Sequence, residues 1–99
     1  MPAYVCAIEI HLDLREAQSL KEKRKLVSSL KGQIRHRFVA AIAEIADQDD
    51  RRRATLLCAL VGGADVHRRA SELERFVEAR CPDGCRFERN LLSVADMRG

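Results

Sequence analysis

A chain of 99 residues, 46% hydrophobic, 33% charged and net +3, suits one compact domain with its own core and excludes a disordered or collagen-like polymer. No stretch approaches the roughly 18 uninterrupted apolar residues of a membrane span. Met1–Ile10 reaches Glu9 without a basic leader, and no low-complexity tract or solenoid-period repeat occurs, so the expectation is a single cytoplasmic domain over 1–99.

Tyr4, Cys6, Ile8, Ile10, Leu12 and Leu14 alternate with Val5, Ala7, Glu9, His11 and Asp13, the period of a strand with one buried face. Arg15–Gln18 connect it to a helix that opens on the capping box formed by Ser19 and Glu22 and runs to about Arg37. Its apolar stripe is Leu26, Val27, Leu30 and Ile34. Val39–Ala46 predicts a second strand, broken by the polar run Asp47-Gln48-Asp49-Asp50.

A third strand over about Arg53–Val61 is apolar at both parities, which predicts a central strand covered on both faces. Gly62-Gly63 ends it, and Asp65 is placed to cap a second helix whose inner face is Val66, Ala70, Leu73 and Val77. Pro82 and Gly84 stop that helix, and Arg86–Val94 predicts a last strand. The order strand, helix, strand, strand, helix, strand is that of a ferredoxin-like α+β sandwich, two helices on one face of a four-stranded antiparallel sheet. The opposite sheet face would carry Val5, Ala7 and one apolar row of the third strand, more than a monomer usually exposes, which predicts a homodimer through that face.

The runs Ser19–Arg24 (SLKEKR) and Ala43–Asp49 (AEIADQD), with Arg53-Ala54 following, resemble the YlxP-like family of small, uncharacterised bacterial proteins. The resemblance spans nearly the whole chain and implies a ferredoxin-like fold. It also implies a ribosome-related or RNA-contacting role, because such proteins are often encoded beside translation-initiation and ribosome-maturation genes. Two parts depart from the family pattern. Arg51 stands where relatives often carry a large aromatic residue, and the last strand, with Arg86, Arg89 and Asn90, matches poorly.

Charge is concentrated in the first helix. Residues 20–37 hold Lys21, Lys23, Arg24, Lys25, Lys31, Arg35 and Arg37 against Glu22 alone, which leaves the rest of the chain net acidic. Lys21, Arg24, Ser28, Lys31 and Arg35 form a ladder along one side, about 21 Å long at 1.5 Å per residue. Lys21, Lys23 and Arg24 lie at the positive end of the helix dipole, where each cation costs about 0.3–1 kcal/mol. A local rule broken in this way points to an anion, so Lys21, Lys23, Arg24, Lys31 and Arg35 are the candidate anion- or RNA-binding residues. Solvation of the helix end by long side chains is the plainer reading of the same residues.

Competing chemistries have less support. Glu9, His11 and Asp13 on one strand face could act as acid, base or metal ligands, but a solvated sheet edge looks the same. No nucleophile elbow, phosphate loop, dinucleotide fingerprint or zinc-protease motif occurs. Cys6 and Cys58 lie in apolar runs, and the loose pair Cys81 and Cys85 lacks zinc-site spacing, so four reduced thiols and no metal or cofactor are expected. The Asp47, Asp49 and Asp50 cluster is expected to be neutralised by Arg51, Arg52 and Arg53.

The sequence therefore points to a non-enzymatic accessory protein contacting RNA or ribosomal particles through its first helix. The alternative is a homodimeric interaction module that binds an acidic partner or a small anion. With Tyr4, Phe38, Phe76 and Phe87 the only aromatics, and Phe38 and Phe76 expected in the core, no stacking platform for bases is expected.

Overall fold

The structure is a computed structural model and describes residues 2–98; Met1 and Gly99, the ends of the expected domain, lie outside the described residues. The elements are β1 (Tyr4–Asp13), α1 (Leu20–Phe38), β2 (Ala41–Ala46), β3 (Arg53–Gly62), α2 (Val66–Arg80), β4 (Cys85–Ser93) and a short α3 (Val94–Met97). The four strands form one antiparallel sheet in the order β2-β3-β1-β4, the ferredoxin-like arrangement.

Alternation in β1 sends Cys6, Ile8, Ile10 and Leu12 to the helix side, where they are buried with Ala54, Leu56, Cys58 and Leu60 of β3. The helices close this layer with Val27, Leu30, Ile34 and Phe38 from α1 and Val66, Ala70, Leu73, Phe76 and Val77 from α2. Phe38 and Phe76 meet edge to face at 5.4 Å, the arrangement that the ring quadrupoles favour. Leu26, expected in the stripe, is 47% exposed, and its place inside is taken by Lys23. A helix turns 100° per residue, so position 23, not 26, stacks beneath 27, 30 and 34.

The other sheet face carries no helix. On it β3 presents Thr55, Leu57, Ala59 and Val61 beside His11, Glu9, Ala7 and Val5. Leu57 is 40% and Val61 65% exposed, so within one chain β3 is covered on one face rather than on both.

The connections are tied by polar contacts. Ser19 Oγ accepts the Glu22 N–H at 3.1 Å, and Glu22 reaches back to the Gln18 N–H. Asp65 precedes α2 without a side-chain cap. Arg69 donates to the carbonyls of Phe38 and Val61, which joins the end of α1 to the end of β3. Ser93 caps α3 through the Asp96 N–H, so the helix begins at Val94, where the sequence pattern extends the last strand. Arg35 donates to the Ile42 carbonyl beside the edge strand β2, and an irregularity in pairing between Glu44 and Ala46 shifts the register there.

Val39 ends α1 in the left-handed region, at φ 52°, with its side chain 82% exposed. A β-branched residue is costly there, by about 1–2 kcal/mol relative to the right-handed helix. Val39→Gly removes the Cβ clash and loses almost no burial. We predict that it raises stability by about 0.5–1 kcal/mol, a gain of a few degrees in melting temperature. A thermal melt by circular dichroism checks this, and an unchanged or lower midpoint would contradict it.

Candidate anion-contact face

The five candidate residues separate into two groups. Lys23 is fully buried: its ammonium donates to the carbonyls of Asp47 and Gln48 and lies 3.0 Å from Glu44 Oε2. The contact with Glu44 is an ion pair by distance rather than a well-directed hydrogen bond. A buried ammonium needs its donors used and its charge met, and these three oxygens meet both requirements. Lys23 therefore locks α1 to the β2–β3 turn and does not face an external ligand.

Lys21, Arg24 and Arg35 are exposed and Lys31 is half-buried. The bond from Arg35 to Ile42 turns this side of α1 toward the free edge of β2, whereas the bond from Arg80 to Gln33 Oε1 at 2.9 Å fixes the opposite side against α2. Lys21, Arg24, Lys31 and Arg35 thus line one flank, roughly 21 Å long. Among the described residues none of these four, nor Lys25 or Arg37, forms an ion pair, whereas on α2 Arg68 holds Glu72 and Glu74 holds Arg89.

The turn anchored by Lys23 adds to this face. Asp50 accepts from the Arg52 N–H and Asp47 Oδ2 from the Thr55 hydroxyl, so these carboxylates serve the turn itself. No ion pair joins them to Arg51, Arg52 or Arg53 among the described residues. The expected mutual neutralisation by direct pairing is therefore not what the geometry shows, and the guanidinium groups remain at the surface.

On the far side of α1 a cleft of about 350 Å³ is lined by Leu12, Leu14, Leu26 and Leu30 and rimmed by Asp13, Glu16 and Asp83. With three carboxylates against the single guanidinium of Arg80 in its lining, this cleft disfavours an anion. Cys81 borders this cleft, but burial pushes its thiol up to about 11, and burial pushes Cys58 up to about 12. Such thiols stay protonated and unreactive near neutrality. None of the four cysteines is in a disulfide.

Glu9, His11 and Asp13 do not act as one row. β1 lies inside the sheet, not at its edge, and Glu9 stands opposite Glu88 of β4 with His11 opposite Arg86. His11 Nε2 is 3.3 Å from Glu9 and 3.9 Å from Glu88, while Asp13 is paired at the strand end with Arg53. Glu88 was invisible from spacing because only the register of a distant strand brings it to this place.

The architecture and its unpaired basic flank define a small ferredoxin-like α+β protein with a charged helix face. The chain belongs to the family described as "Protein of unknown function (DUF503)", which matches residues 5–85. Among solved structures it is similar to a de novo designed protein, Foldit4, at 10% identity and TM-score 0.56, with 91% of this chain and 96% of that one covered. That likeness shows the fold alone. No curated protein matches the chain.

The Lys23 lock carries a measurable consequence. Lys23→Ala leaves Glu44 and two turn carbonyls without their partner and should cost about 3–5 kcal/mol, whereas Arg24→Ala next to it should stay within about 0.5 kcal/mol of the parent. Urea unfolding midpoints check this, and similar midpoints for the two variants would show that Lys23 is not a lock.

Proposed function

We propose that this chain is a YlxP-like, cytoplasmic, non-enzymatic accessory protein that touches RNA or a ribosomal particle through the flank Lys21, Arg24, Lys31 and Arg35. The reading rests on one observation: among the described residues Lys21, Arg24, Lys31 and Arg35 have no carboxylate partner and gather on one flank of α1, whereas Arg68, Arg86 and Arg89 are each held by a glutamate. Folding gives no reason to collect unpaired charge of one sign on one flank, and an external polyanion does.

Contact is made chiefly to phosphates. The open sheet face, where RNA-binding sandwiches of this kind stack bases, carries Val5, Ala7, Leu57, Ala59, Val61 and Leu92 and, among the described residues, no Phe, Tyr or Trp. Binding is accordingly tolerant of sequence and weakens steeply as salt rises. Arg51, Arg52 and Arg53 extend the contact beyond the helix, held in place by Lys23.

The same apolar rows support a homodimer through the open face. Val61, Leu57 and Leu92 are 65%, 40% and 42% exposed, a contiguous patch that a second copy would cover. Leu57→Arg with Val61→Arg should convert a dimer to a monomer in size-exclusion chromatography with light scattering. A monomeric parent at micromolar concentration would remove the dimer from this reading.

The RNA reading is tested by Arg24→Glu with Lys31→Glu, which spares both Lys23 and the Arg35 contact to Ile42. We predict at least a tenfold loss of binding to structured RNA at low salt, with an unchanged melting temperature. Capture from lysate with and without ribonuclease separates the alternatives: partners lost after digestion support RNA, and partners retained after digestion support an acidic protein surface. Undiminished RNA binding by the double variant would sink the proposal.

A further inference from the structure

We propose that Glu9, His11 and Glu88 form a divalent-cation site of the zinc type on the open face of the sheet, separate from the basic flank of α1. The three side chains come from adjacent strands, and β1, which supplies two of them, is hydrogen-bonded on both sides, by β3 and by β4. Ligands on such strands are held more firmly than ligands on loops.

The distances suit the ion. His11 Nε2 lies 3.3 Å from Glu9 Oε1 and 3.9 Å from Glu88 Oε2, and one donor atom from each residue falls within 4.8 Å of the others. Donors around a tetrahedral zinc with bonds of about 2.0–2.1 Å sit about 3.3–3.4 Å apart. Glu88 stands farther from His11 than Glu9 does, and an ion would draw the donors inward from separations of up to 4.8 Å.

The electrostatics point the same way. Register places Glu9 directly opposite Glu88, and like charges in that position destabilise a sheet. Among the described residues Arg86 is the one Lys or Arg bonded there: its Nη1 holds Glu88 Oε1 at 2.9 Å and leaves Oε2 toward His11. That is the outer contact that orients a ligating carboxylate. Nε2 of His11 is a buried atom with no hydrogen-bond partner among the described residues, lying beside carboxylate oxygens of Glu9 and Glu88. A single N–H at Nε2 can be directed at one carboxylate, whereas a divalent ion takes both oxygens and the ring nitrogen together and offsets the excess negative charge.

The thiols do not compete. Burial raises all four, Cys85 included, and a thiol must be deprotonated to hold zinc. A nitrogen and two carboxylate oxygens suit zinc and its neighbours rather than calcium or magnesium, and leave a further position for water.

The experiment is a titration of chelator-stripped protein with Zn²⁺ against a competing chromophoric chelator, and with Co²⁺ followed by its visible absorption. The expected result is one equivalent bound per chain with the bands of tetrahedral Co²⁺, and affinity lowered about tenfold or more in each of His11→Ala, Glu9→Gln and Glu88→Gln. His67→Ala and Cys85→Ser serve as controls and should bind as the parent does. Circular dichroism melts of the metal-free variants confirm that the fold is intact. No Zn²⁺ binding by the parent, undiminished binding in both glutamine variants, or loss that follows Cys85→Ser or His67→Ala would each overturn the site.

Discussion

The ammonium of Lys23 is the point at which this fold is fastened. It sits inside the helix layer at the position where the apolar stripe of α1 would otherwise continue, and it reaches Glu44 of β2 and two carbonyls of the following turn. An uncompensated charge at such a site is costly, so the chain can bury this lysine only if α1, the edge strand and the turn come together in one register. That constraint fixes which flank of α1 borders β2, and so where the remaining cations emerge. The two sequence runs that carry the family resemblance, 19–24 and 43–49, meet at this contact.

Much of the fold was legible because two periodicities alternate cleanly along the chain. Alternation in Tyr4–Leu14 and helical spacing in Val66–Val77 each state which face is buried, and the order of elements then leaves few topologies open. The errors came where side-chain length or hydrogen bonding overrides pattern. Lys23 looked like a surface cation because its residue type is rarely buried, while only the partner atoms of a turn 24 residues away explain its burial. Val94 is apolar and follows a strand, yet Ser93 offers a cap and the chain turns helical. Val39 was included in a strand on composition, but it is the residue that reverses the chain after Phe38.

The candidate sites show the same division. The basic flank could be read from the sequence because a helix places residues three and four apart together. The Glu9, His11 and Glu88 group could not, because it depends on the pairing of β1 with β4 across most of the chain length. The molecule thus presents a helix layer with free positive charge and a bare sheet face with an apolar patch beside an acidic corner. These are different surfaces with different chemistries.

The sheet order has a kinetic consequence. Of the four sheet strands, the first in chain order is an inner one, and its neighbours are the third and the fourth: Tyr4 stands between Gly62 and Ser93. No tight hairpin supplies either of those pairings, so β1 waits for β3 and then β4, and each pairing closes a long loop before contacts repay its entropy. Until the last strand arrives, one edge of β1 remains an open template in which Ile8 and Ile10 lack their β4 partners. A nascent chain of this topology is most vulnerable to aggregation late, when most of its core residues have been made but the sheet is one strand short.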